Sequence, residues 1–106
     1  MGLFVFSQTA TAATAVALKT TVPFKFNSVI VQPKAANAGA LTIGAGAATL
    51  HSTNVGLRLA AHAANAQPAS IVFSSTRDGS NEVDLSKIFL DVATTGEGVV
   101  MFCSEA

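Results

Sequence analysis

The apolar residues of this chain fall into short runs typical of β-strands, and a turn residue closes almost every run. Phe24 and Phe26 alternate with Lys25, whereas residues 28–32 (SVIVQ) are rich in β-branched side chains and end at Pro33. Such runs recur about every eight to fourteen residues, which is typical of all-β sandwiches and barrels. Strands do not alternate with long helical patterns, which argues against a parallel α/β sheet.

We therefore predict an all-β fold, a small antiparallel β-sandwich or jelly-roll-like barrel of about seven or eight short strands with an extended N-terminal arm. The predicted strands cover residues 15–18, 24–26, 28–33, 41–44, 57–59, 70–74, 88–93 and 99–103. Residues 60–67 have helical propensity, but they precede Pro68 and would form at most one helical turn. Asp78-Gly79 predicts a turn, as do residues 94–98.

A length of 106 residues predicts a single domain. We divide the chain into residues 1–15, an N-terminal arm or first strand, and residues 16–106, a single β-sandwich domain. The arm begins with an apolar run and continues with Ser, Gln, Thr and Ala only. We expect this arm to reach a neighbouring subunit. The side chains expected at that contact are Leu3, Phe4 and Phe6.

The chain carries unusually little charge. Charged residues make up 11% of it, against about 25% in typical soluble domains. Six basic and six acidic residues give a formal net charge of zero, and the mean hydropathy is +0.51. Either Ser, Thr, Asn and Gln cover the surface, or much of the surface is buried against other subunits. We favour the second, because no membrane span accounts for the hydropathy.

The basic residues are scattered and are not interleaved with aromatic residues. They are Lys19, Lys25, Lys34, Arg58, Arg77 and Lys87. Nucleic-acid binding needs clustered cations to neutralise phosphates, so we expect no nucleic-acid partner. No apolar stretch approaches the length of about 20 residues that spans a bilayer, so we expect no membrane partner.

Residues equipped for chemistry are few and poorly spaced. His51, His62 and Cys103 do not have the spacing of a zinc site. Residues 78–82 (DGSNE) have some character of a calcium loop but lack the full twelve-residue pattern, and Gly44-Ala45-Gly46 lacks the Lys and helix of a phosphate loop. We expect no metal, no cofactor and no enzymatic activity.

Cys103 is the only cysteine, so the chain forms no intrachain disulfide. Its position in the last apolar run predicts a small buried side chain in the terminal strand rather than a reactive thiol. This cysteine usage is compatible with assembly in a reducing cytoplasm.

Several segments together resemble small virion structural proteins of tailed bacteriophages. The matching segments are residues 29–33 (VIVQP), 37–39 (NAG), 41–44 (LTIG), 56–57 (GL), 84–93 (DLSKIFLDVA) and 94–99 (TTGEGV). The resemblance extends over about residues 22–102. The chain departs from that pattern at residues 60–68, where many of the relatives have a Gly-containing turn.

This resemblance implies a jelly-roll-like sandwich located in the virion and assembled in the host cytoplasm. It implies a capsid decoration (cement) protein that binds the major capsid protein and itself, as a trimer rather than a dimer. The alternative is a small neck, tail or baseplate adaptor, or a fibre-associated module that binds the host. Host carbohydrate ranks lower as a target, because sugar sites favour Trp and Tyr and the chain has neither. The resemblance implies no catalytic residues.

Overall fold

The computed structural model describes residues 2–35, 37–46, 49, 56–60, 70–74 and 83–105. In this part, ten β-strands and one 3-10 turn at Leu85–Lys87 make up the regular structure. The strands are β1 (Leu3–Thr9), β2 (Val16–Ala17), β3 (Lys25–Phe26), β4 (Ser28–Pro33), β5 (Leu41–Gly44), β6 (Leu57–Leu59), β7 (Ile71–Ser74), β8 (Val83–Asp84), β9 (Phe89–Val92) and β10 (Gly98–Ser104).

Two four-stranded antiparallel sheets form the body of the molecule. The first sheet has the order β1-β10-β4-β7 and the second has the order β2-β9-β5-β6, while β3 and β8 form a separate pair. Strands consecutive in the chain often lie in different sheets, as β4 and β5 do. The prediction of an all-β, sandwich-like fold is confirmed.

The core lies between the sheets because both sheets turn alternate apolar side chains inwards. The first sheet contributes the inward residues of β4 and β10, and the second contributes those of β5 and β9. The buried apolar residues of these four strands are Val29, Val31, Val99, Met101, Cys103, Leu41, Ile43, Leu90 and Val92. Cys103 is buried as predicted, and desolvation raises the pKa of its thiol to about 11.

The N-terminal segment is a strand and not an extended arm. All seven residues of β1 pair with β10, from Leu3 opposite Ser104 to Thr9 opposite Gly98. The polar end of β1 pairs with β10 as well. It also contacts the second sheet, where the Gln8 side-chain amide donates to the Ala17 carbonyl at 2.8 Å. Of the two forms predicted for this segment, the structure therefore contains the strand.

The remaining differences from the predicted strands are small. β4, β5 and β6 have the predicted bounds, whereas the run at residues 15–18 contributes only the two residues of β2. β8 and the 3-10 turn were not predicted, and Asp84 caps that turn by accepting hydrogen bonds from the Ser86 amide (3.0 Å) and hydroxyl (2.6 Å). The Ser86 hydroxyl bond is the largest cause that lowers the pKa of Asp84. The predicted helical turn, apart from Ala60, and the Asp78-Gly79 turn lie outside the described residues.

A buried amide clamp holds the loop after β4 against the start of β10. The Asn37 side chain donates to the Gly98 carbonyl at 2.7 Å and accepts from the Gly98 amide at 3.3 Å. The Glu97 carboxylate accepts from the amides of Ala38 (2.6 Å) and Gly39 (3.0 Å). We call these contacts the Asn37–Gly98 clamp. They satisfy loop backbone groups that would otherwise be costly to bury.

Gly98 is required because β1 passes directly over it. A Cβ at this position would overlap the Gln8 backbone oxygen and lie 2.8 Å from the Thr9 Cα, both of which are main-chain atoms. We expect Gly98→Ala to force β1 and β10 apart and to lower the free energy of unfolding by about 2 kcal/mol or more. Urea unfolding measures this loss. Gly46→Ala is the control, because a Cβ there meets no described atom within 4 Å; equal stability of the two variants would contradict the packing described.

Candidate interaction surface

The first sheet has one face against the core and one face outwards, which we call the outer face. Its residues are the alternate positions of β1, β10, β4 and β7 that point away from the second sheet. Strand register places these residues in rows that run across the sheet. The rows are Leu3–Ser104–Ser28–Ser74, Val5–Phe102–Ile30–Val72 and Ser7–Val100–Gln32.

The middle row of the outer face is apolar on all four strands. Val5 is 63% exposed, Phe102 47%, Ile30 37% and Val72 61%. Directly opposite residues in antiparallel strands lie close enough to touch, so these four side chains form a continuous apolar band. Val5, Phe102, Ile30, Val100 and Gln32 line a shallow open hollow of about 440 Å³ on this face.

The outer face carries no ionisable side chain at any outward position of its four strands, all of which the structure describes. Apart from the apolar residues, it presents Ser, Thr and Gln. Leaving a surface of this composition in water costs free energy. Covering it is favourable, because no charge is buried. These properties make the outer face a candidate docking surface.

The second sheet is covered on both sides at its centre. Leu41, Thr42 and Ile43 are successive residues of β5 and all three are buried, although alternate residues point to opposite faces. Asp91, opposite Thr42 on β9, is also buried. The two sheets therefore differ, since only the first leaves a wide apolar area exposed among the described residues.

The predicted contact residues Leu3, Phe4 and Phe6 separate onto two faces of β1. Leu3 is on the outer face and is 62% exposed. Phe4 and Phe6 are half-buried on the inner face, where their rings stack at 5.8 Å and both lie against the Phe26 ring, at 5.7 and 6.0 Å. The Lys19 ammonium covers the Phe6 ring at 4.6 Å from its centroid. Both phenylalanine side chains thus pack partly within this molecule, and their contact with a neighbouring subunit stays a prediction.

Sequence reasoning missed four outer-face residues: Val5, Ile30, Phe102 and Val72. The signal was present, because β4 and β10 carry bulky apolar residues at both alternating positions, as in Val29-Ile30-Val31 and Met101-Phe102-Cys103. In a strand with only one buried face, apolar residues normally alternate with polar residues. The lack of a polar residue at positions 30 and 102, where Ile30 and Phe102 stand, indicates a second apolar surface.

Metal-ligating side chains are not grouped in the described part of the chain. There, no set of three or more His, Cys, Asp or Glu side chains comes together. His51, His62 and residues 78–82 lie outside the described residues. A second apolar hollow of about 300 Å³ lies near Ile43, Leu57 and Phe73, and Lys87 is among the described residues that line it. Where the structure describes the chain, no helix has the length and apolar character to cross a membrane.

Comparison with protein-family models, curated proteins and solved structures finds no match for this chain. The outer face is therefore the feature of the molecule on which a functional interpretation depends.

The opposite placements of Phe6 and Phe102 give a direct test of the two faces of the first sheet. We expect Phe6→Ala to lower the free energy of unfolding by about 2 to 3 kcal/mol, because it removes a ring from the Phe4–Phe6–Phe26 cluster. Phe102→Ala is the matched control on the neighbouring strand, with an expected loss of about 1 kcal/mol or less. Thermal or urea unfolding compares the two. A larger loss for Phe102→Ala would contradict the assignment of inner and outer faces.

Proposed function

We propose that this chain is a capsid decoration (cement) protein of a tailed bacteriophage. In this proposal the outer face of the first sheet docks on the major capsid protein, and the chain also associates with itself. The chain then acts by covering and bridging neighbouring shell subunits, and no chemical step is involved. The observation that carries the proposal is the uncharged outer face with its apolar band Val5–Phe102–Ile30–Val72.

The physical case begins with the cost of leaving this face exposed. Burial of apolar surface contributes about 25 cal/mol per Å² removed from water, and the exposed band crosses all four strands. A shell presents many copies of a subunit in a fixed array, so a weak contact repeated at each position stabilises the whole assembly. A compact, nearly uncharged domain suits such a role, because it adds little electrostatic repulsion between neighbouring copies.

The segments that resemble phage virion proteins also support the proposal. Residues 37–39 and 94–99 are distant in the chain but meet in the Asn37–Gly98 clamp. Part of the pattern therefore holds β4 and β10 together, and these two strands are the central strands of the outer face. Residues that resemble the family thus hold together the strands whose outer face we propose to dock.

A neck, tail or baseplate adaptor would use the same kind of surface, and the number of copies in a particle separates it from cement. A host-binding module reading carbohydrate receives less support. The outer face has one aromatic side chain, Phe102, and it lacks the polar handle that Tyr and Trp offer a sugar.

Quantitative mass spectrometry of purified particles from cells that express this chain tests the location. Cement predicts hundreds of copies per particle, whereas an adaptor ring predicts about six or twelve. A chain absent from washed particles would refute a virion role. A chain found at about six or twelve copies would replace cement by the adaptor.

A charge placed on the outer face tests the docking surface itself. We expect Phe102→Lys to reduce the amount of chain bound per particle at least tenfold, because docking would bury an unpaired ammonium in the apolar band. Val22→Lys is the control, since Val22 is an exposed apolar residue (80%) that lies in no strand. Particles lacking the chain are mixed with each purified variant and then sedimented. Equal binding of Phe102→Lys and the wild-type chain would refute docking through this face.

A further inference from the structure

β1 forms a free edge of the first sheet. It pairs with β10 on one side, and no described strand pairs with it on the other. The hydrogen bonds at the two ends of β1 show which of its residues bond to β10. The Glu105 amide donates to the Gly2 carbonyl (2.9 Å), and the Ala10 amide donates to the Glu97 carbonyl (3.1 Å). Even-numbered residues of β1 therefore bond to β10. The backbone N–H and C=O groups of Leu3, Val5 and Ser7 point away from it, along the free edge.

This edge has none of the usual features that prevent strands from pairing. Exposed edges are commonly protected by Lys, Pro, a bulge or very short length. β1 is seven residues long, pairs with β10 in unbroken register and has the sequence LFVFSQT, with no charge and no proline. Leu3 and Val5 are apolar and more than 60% exposed on it. An edge of this kind accepts another strand readily.

We propose that β1 pairs antiparallel with β1 of a second copy of this chain, across a twofold axis at Val5. In this register Val5 lies opposite Val5 of the second copy, and Leu3 lies opposite Ser7. The outward N–H and C=O groups of these three residues then face their own counterparts, for about six new backbone hydrogen bonds. The first sheets of the two copies then form one continuous sheet of eight strands.

A second copy matches the hydrogen-bonding groups, the apolar side chains and the lack of charge of this edge. On the outer face, Val5 opposite Val5 joins the two apolar bands into one. On the inner face, Phe4 lies opposite Phe6 of the second copy, so the stacked aromatic pairs of both copies become neighbours. No ionisable side chain lies on either strand, so no like charges stand directly opposite each other across the axis, and the Lys19 ammonium of each copy lies over its own Phe6 ring.

This inference deepens the self-association part of the proposed function, and it rests on that function only for its setting on a shell. Pairing through one edge closes after two copies, so it predicts a dimer in place of the trimer expected from the resemblance. The outer face is left free for a different partner. Sedimentation of the free chain tests the dimer, and particle binding tests docking, so failure of one is distinguishable from failure of the other.

Two matched lysine variants separate edge pairing from stacking of outer faces. Val5 and Val72 have the same side chain, lie in the same cross-strand row and are 63% and 61% exposed, but they occupy opposite edges of the first sheet. We expect the wild-type chain to sediment as a dimer at about 100 μM and Val5→Lys to weaken dimerisation about tenfold or more, because two ammonium groups meet at the axis. Val72→Lys is expected to remain a dimer.

Mixing and cross-linking variants test the register without relying on a loss of association. An equimolar mixture of Val5→Lys and Val5→Glu is expected to recover the dimer, because opposite charges then face each other. Val5→Cys is expected to form a disulfide-linked dimer on mild oxidation, since opposite Cα atoms about 5.5 Å apart are within disulfide reach. Val72→Cys is the control and is expected to stay uncross-linked. A monomeric wild-type chain, or equal dissociation by both lysine variants, would overturn the proposal.

Discussion

The close approach of β1 and β10 at Gly98 is the contact on which the first sheet depends. Gln8 and Thr9 lie against Gly98 from one side, and Asn37 holds both of its backbone groups from the other. β10 can therefore occupy the centre of the sheet, with β1 and β4 paired along its sides. A side chain at this residue would force β1 and β10 apart.

The scarcity of charge has a spatial meaning that composition alone does not reveal. The outward positions of the first sheet hold no ionisable residue, whereas charged side chains lie elsewhere, among them Glu97 beside the loop amides and Asp84 at the 3-10 turn. Charges placed in this way stabilise local backbone and leave a flat sheet surface neutral. The proposed docking face and the proposed pairing of β1 with its own copy both depend on this arrangement.

The fold was largely predictable, but the candidate site was predictable only in part. The bounds of β4, β5 and β6 follow from β-branched runs closed by Pro or Gly, and Cys103 is buried as its apolar neighbours indicate. The N-terminal segment was harder, because its polar second half gives no strand signal and is held by backbone pairing with β10, which is distant in sequence. Of the three predicted contact residues, Leu3 is exposed, whereas Phe4 and Phe6 face Phe26 because strand alternation turns them inwards.

The amino-acid sequence by itself determined that this chain is all-β and carries few charges, because strand signals, turn residues and composition are local properties. Only the tertiary structure decided which apolar residues are core and which are surface. That choice depends on register: Ile30 and Val31 are equally apolar neighbours, yet one faces water and the other the second sheet. Pairing between distant strands also made β1 an edge and aligned Val5, Phe102, Ile30 and Val72 across four strands.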